Sequence, residues 1–87
     1  MGVPSALRWQ CRRGMLELDA LLNHFLDREY EGLDSHQRRR FEALLQIDDP
    51  QLHHWLLVAP EAAPAAYRGI VARVRASAVQ PSSASKV

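Results

Sequence analysis

The sequence predicts an all-α fold, a small five-helix bundle in a single domain. Three observations point there. Glycine is scarce, at 4 of 87 residues, while Leu, Ala, Arg and Glu dominate, and these are strong helix formers. The apolar residues recur at three- and four-residue steps, and alternating β-branched runs are absent. Boundary signals at Gly14, Gly32, Asp34, Asp49-Pro50 and Pro60–Pro64 cut the chain into helix-length pieces. At this length the chain is one domain, whose core yields only about 3–5 kcal/mol of net stability and leaves little room for a deep catalytic cavity.

The elements follow in order. Ser5 is placed to N-cap a short first helix carrying Leu7, Trp9 and Cys11 and ending near Arg13 and Gly14. A second helix runs from about Met15 to Tyr30, with Leu18, Leu21, Leu22, Phe25 and Leu26 on one face. Gly32 breaks it. Asp34 followed three residues later by Gln37 forms a capping-box pattern for a third helix, whose buried stripe is Phe41, Leu44, Leu45 and Ile47. Asp49-Pro50 then reads as N-cap and first helical position of a fourth, which offers Leu52, Trp55 and Leu56 inward and stops before Pro60. The Ala/Pro segment 59–64 is a linker. The fifth helix carries Tyr67, Ile70, Val71 and Val74 on one stripe. The helical domain thus spans 1–78, and 79–87, without periodicity, is expected to be a disordered tail.

Composition narrows the function. The formal charge is +1, without the basic excess usual in a nucleic-acid-binding protein. One cysteine, Cys11, cannot staple the fold, which suits a reducing compartment. No apolar run approaches the roughly 20 residues that span a bilayer, and no secretory signal opens the chain. A soluble, cytoplasmic protein is expected.

The usual chemical constellations are weak. His53 and His54 are adjacent, so on a helix they point about 100° apart and do not share one ion readily. With no second cysteine and no HExxH spacing, no metal site is expected. Arginines flank Cys11, but no pattern supplies a base and an orienting acid, so an inert, partly buried thiol is the expectation and catalytic residues are none. Arg38-Arg39-Arg40 suggests a helix-turn-helix nucleic-acid binder. Three consecutive helical residues, however, fan around the circumference, and Glu42, Asp48 and Asp49 offset their charge.

The stretch CRRGMLELD, Cys11 to Asp19, is the unusual one. Gly14 suits a C′ position, where positive φ lets the chain turn. Glu17 falls in the first turn of the next helix, where a carboxylate is favoured. Arg13 and Glu17 stand in the weaker Arg-before-Glu order, so their pairing would add only a few tenths of a kcal/mol. Local stability accounts for Gly14 well, for Glu17 partly, and hardly for the Arg12-Arg13 doublet. From the residues alone two readings stand side by side: a helix boundary with a solvated face, and a corner whose arginine fork binds a partner carboxylate.

The segment W-x-C-R-R-G-M-x-E-L-D, Trp9 to Asp19, resembles the signature of the small FAD assembly factors of succinate dehydrogenase, the SdhE family. Its core motif RGxxE is matched by Arg13, Gly14 and Glu17. The resemblance continues through F-L-x-x-E-Y ending at Tyr30, the capped helix beginning at Asp34, and D-D-P-x-L-x-x-W-L from Asp48 to Leu56. It covers roughly Leu7 to Arg75. RGxxE alone is a short motif; in this order, with the second block at this distance, the combination is specific.

The resemblance implies a five-helix bundle, in agreement with the independent reading. It also implies a chaperone rather than an enzyme. Family members bind the flavoprotein subunit of succinate dehydrogenase, and often that of fumarate reductase, and promote covalent attachment of FAD to a histidine of that subunit. The bond forms by the flavin's own chemistry. Carried over, Arg13 would donate to carboxylate or carbonyl groups of the flavoprotein. Gly14 would allow close backbone approach, and Glu17 would accept from partner donors or hold Arg13 in its rotamer. Arg12 and Trp9 would extend that face. FAD belongs to the partner, since this sequence has no GxGxxG or other phosphate-cradling loop and is expected to hold no cofactor stably. A free monomer is expected. With the motif so near residue 1, no transit peptide is expected and a bacterial chain is the expectation. The alternative is a small helix-turn-helix-like nucleic-acid-binding or antitoxin-type protein.

Overall fold

The computed structural model describes residues 3–78. Five α-helices account for most of them: α1 Ser5–Gln10, α2 Leu16–Glu29, α3 Ser35–Leu44, α4 Asp49–His53 and α5 Ala65–Ala78. The proposed tail, 79–87, lies outside the described residues.

The core is the set of side chains that the periodicity singles out. Leu18, Leu22, Phe25 and Leu26 of α2 face Ile70, Val71 and Val74 of α5, and Phe41 and Leu44 of α3 close the third side. Burying each large side chain contributes about 1.5–3 kcal/mol. Phe25 and Phe41 meet with ring centroids 5.0 Å apart and tilted, and Tyr30 lies 6.2 Å from Phe41. Trp55 and Tyr67 stack at 5.7 Å, which joins the segment after α4 to α5.

The helix ends divide into those the sequence announces and those that packing decides. At α3 both halves of the capping box form: the Asp34 carboxylate accepts from the Gln37 amide at 2.8 Å, and Gln37 Oε1 accepts from the Asp34 amide at 3.1 Å. Gly32 ends a single 3₁₀ turn, Tyr30–Gly32, after α2. At α1 the N-cap is Pro4, not Ser5, which is the first helical residue; the helix stops at Gln10, short of Arg13. At α4 the N-cap is Asp48 rather than Asp49, and Pro50 is the second helical residue. The Asp49 carboxylate is taken by Arg13 from across the molecule, at 2.9 Å.

Beyond α4 the chain widens into a π-helical turn, His54–Val58, in which the Ala59 amide donates to the His54 carbonyl at 2.7 Å. Arg75 Nη1 donates to the Leu56 carbonyl at 3.0 Å, satisfying an acceptor of this turn. The segment expected as a plain linker is partly structured. It contains a 3₁₀ turn, Pro60–Ala62, and buries Ala63, whose carbonyl accepts from Arg68 Nε at 3.0 Å.

Candidate functional site

The corner between α1 and α2 is built by Gly14 and Asp19. Gly14 has φ +81°, and among the described residues no non-glycine residue has positive φ. A Cβ built there meets nothing within 4 Å, so the requirement for glycine inside this chain is conformational rather than spatial. Asp19, on the first turns of α2, reaches back over the corner. Its carboxylate accepts from the Arg13 amide at 2.7 Å and from the Gly14 amide at 3.1 Å. Asn23 extends this brace by donating to the Asp19 carbonyl at 2.9 Å while accepting from Arg8 at 3.1 Å. Arg8 also pairs with Asp27 at 2.6 Å, which ties α1 along α2.

Arg13, expected to donate to the flavoprotein, is engaged within the chain. Its guanidinium turns inward and bridges the α3–α4 connection. Nη1 donates to the Asp49 carboxylate at 2.9 Å and to the Ile47 carbonyl at 3.4 Å, and Nη2 donates to the Leu45 carbonyl. The side chain is only 14% exposed. Nor does Glu17 hold it, because Arg13 is engaged by Asp49 and Glu17 has no hydrogen-bond or ion-pair partner among the described residues. The two sequence blocks, RGxxE and DDPxLxxW, are therefore one structural unit joined through Arg13 and Asp49.

The other expected residues face outward. Gly14, Glu17 and Arg12 are exposed. Trp9, expected with Arg12 to extend the partner-facing side, is 69% exposed, and the Arg12 guanidinium lies 5.3 Å from its ring centroid. That stack pre-orders two large side chains at a modest energetic gain. Leu16, which the sequence reading passed over, is 87% exposed. The signal for it was present: Leu16 lies off the α2 stripe, so an amphipathic wheel leaves it in solvent. The outward half of the corner thus combines an aromatic and an arginine, both favoured at interface centres, with an exposed leucine and an unpaired carboxylate.

The competing constellations are occupied structurally. Cys11 is fully buried, and burial pushes its thiol up from 9.0 to about 11 against the lowering pull of Arg13 and Arg8. A protonated thiol in a closed site is a poor nucleophile. Arg38 lies 4.8 Å from the Tyr30 ring and donates to the Glu31 carbonyl at 3.1 Å, so the arginine triplet does not present one basic stripe. Among the described residues no three His, Cys, Asp or Glu side chains are grouped to hold a metal ion, and no helix is long and apolar enough to cross a membrane.

Residues 5–78 match the family model described as Flavinator of succinate dehydrogenase. The curated protein FAD assembly factor SdhE of Idiomarina loihiensis is 49% identical over 51 residues, 59% of this chain and 57% of that protein. The protein of the same name from Coxiella burnetii is 47% identical over 57 residues, 63% of this chain and 70% of its own length. That of Haemophilus ducreyi is 37% identical over 71 residues, 82% of this chain and 87% of its own length. The matched stretch is thus little more than half of the first relative and most of the third. No solved structure matches the chain. With the family model covering nearly the whole described region and the motif residues gathered at one corner, the chain belongs to the family of flavinators of succinate dehydrogenase.

Proposed function

We propose that this chain is an assembly factor that docks on the flavoprotein subunit of succinate dehydrogenase and promotes covalent attachment of FAD there. The observation that carries the reading is the divided corner. Arg13, Asp19 and Asp49 hold Gly14 in its positive-φ turn, while Trp9, Arg12, Leu16 and Glu17 stand exposed around it. A rigid surface loop with exposed anchors is suited to binding, since little ordering entropy remains to be lost.

In this reading the chain is not an enzyme. FAD supplies the bond-forming chemistry from within the flavoprotein, and this chain's residues act by contact. Gly14 presents bare backbone for close approach, Glu17 accepts from partner donors, and Arg12 offers a guanidinium stacked on Trp9. Arg13 positions the corner instead of reaching across. The flavoprotein of fumarate reductase is a second client, the free chain is a cytoplasmic monomer, and no cofactor stays with it.

The test expresses the flavoprotein subunit in a strain lacking this gene and reads protein-bound flavin fluorescence in a denaturing gel. Wild type added back is expected to restore the signal and Gly14→Arg is not. Equal flavin in every lane, including the lane without this chain, contradicts the proposal.

A further inference from the structure

Around α2 from Glu17 lies an open cleft of about 540 Å³ between α2, the π-helical turn and the last turns of α5. Its floor is apolar: Ala20 and Leu21 from α2, Leu56 and Leu57 from the π turn. Glu17 stands in its lining from one side and Arg75 from another. The walls are fixed by two polar ties. His24 Nε2 lies 3.0 Å from the Ser77 carbonyl, joining α2 to the end of α5, and Arg75 Nη1 donates to the Leu56 carbonyl at 3.0 Å, joining α5 to the π turn. A preformed apolar cleft with a few convergent polar groups is the general form of a binding site, and π turns recur at such sites.

We infer that this cleft receives a segment of the flavoprotein that presents one large apolar side chain with a lysine or arginine beside it. The inference rests on the docking function proposed above and extends the contact from the corner to a second anchor. Two observations choose this occupant. The cleft is continuous with the corner, because Glu17 belongs to both. Charge at the corner end also sorts the partner: the Glu17 carboxylate has no hydrogen-bond or ion-pair partner among the described residues and calls for a basic group beside it, while Arg75, which keeps its own charge, is held against the Leu56 carbonyl on another wall. The residues that follow Ala78, VQPSSASKV, contain no aromatic, leucine, isoleucine or methionine with which to cover the floor.

The experiment measures binding of the purified flavoprotein subunit to the full chain by interferometry, alongside thermal melts. Ala20→Trp and Ala78→Trp fill the cleft from opposite walls at exposed helix positions. Ala66→Trp, exposed on α5 outside this cleft, is the control. Both cleft variants are expected to weaken binding about tenfold or more, the loss of one interface anchor, with melting within a few degrees of wild type and the control unchanged in affinity. Glu17→Gln is expected to weaken binding at low salt and much less at high salt. Wild-type affinity in both cleft variants overturns the inference while leaving the docking function standing. A salt-independent Glu17→Gln effect overturns the basic partner group. A truncation after Ala78 that binds tighter than the full chain assigns the cleft to the tail instead and overturns the inference as well. Failure of wild type to bind at all removes the docking function, and the cleft's occupant with it.

Discussion

Arg12 and Arg13 are neighbours in sequence and opposites in use. The inner half of the corner, Cys11, Arg13, Asp19 and Asp49, is buried or half-buried, and Arg13 is bonded to Asp19, to Asp49 and to the carbonyls of the α3–α4 connection. The outer half, Trp9, Arg12, Leu16 and Glu17, is exposed, with the Arg12 guanidinium stacked on Trp9. The difference separates holding from presenting. A short motif that looks uniform in sequence is a brace on one side and a surface on the other, so its residues should fail in different assays.

The largest effect that would sharpen this division is expected at Arg13. Arg13→Ala leaves the Leu45 and Ile47 carbonyls and the Asp49 carboxylate without their donor, at a cost of about 2–4 kcal/mol. For a domain of this size, that lowers the melting temperature by roughly 10–20 °C, measured by circular dichroism. A wild-type melt for Arg13→Ala would break the comparison by returning Arg13 to the outer surface.

Cys11 gives the next effect. Its thiol is protonated in the fold up to about pH 11 but ionises near 9.0 when unfolded. The associated stability is present below pH 9 and is lost as pH rises toward 11, on the order of 2–3 kcal/mol. Denaturant titrations at pH 8 and pH 11, with Cys11→Ala as control, check this. At neutral pH the same thiol should alkylate slowly until the protein unfolds.

Gly14 stands between the halves. Gly14→Ala forces a Cβ into positive φ and is expected to cost about 1–2 kcal/mol without a clash, since nothing lies within 4 Å. Gly14→Asn should cost less, because asparagine tolerates that conformation. If alanine and asparagine destabilise equally by several kcal/mol, the corner is sterically closed and the account of Gly14 is wrong. The smallest stability effect is expected at Glu17: Glu17→Ala shifts stability by less than about 0.5 kcal/mol, as for exposed sites generally, yet lowers flavin attachment in the gel assay.

What could be read in the sequence, and what could not, follows the same line between local and distant causes. The α2 stripe from Leu18 to Leu26 and the Asp34–Gln37 box were legible because their determinants lie within one or two turns. The six-residue α1 gives too little periodicity to fix which face is buried, so an outward Trp9 was legible only through the resemblance. The N-cap of α4 was read as Asp49 and is Asp48, because the Asp49 carboxylate is taken by Arg13, on a different element. For the same reason the bonds of Arg13 to Asp49 and to the Leu45 and Ile47 carbonyls were not legible. The π turn at His54–Val58 depends on Arg75 and on the Trp55–Tyr67 stack, neither of which a local pattern encodes. Asp19, the residue that closes the corner, was within the quoted motif, but nothing in its spacing revealed that its carboxylate folds back onto two amides.

The measurement that tests the central claim most directly is amide hydrogen exchange along this chain, alone and with the flavoprotein subunit. The account predicts added protection concentrated in residues 9–17, with the arginine-bearing stretch 36–40 unchanged. Protection on 36–40, with 9–17 exchanging as in the free chain, would contradict it.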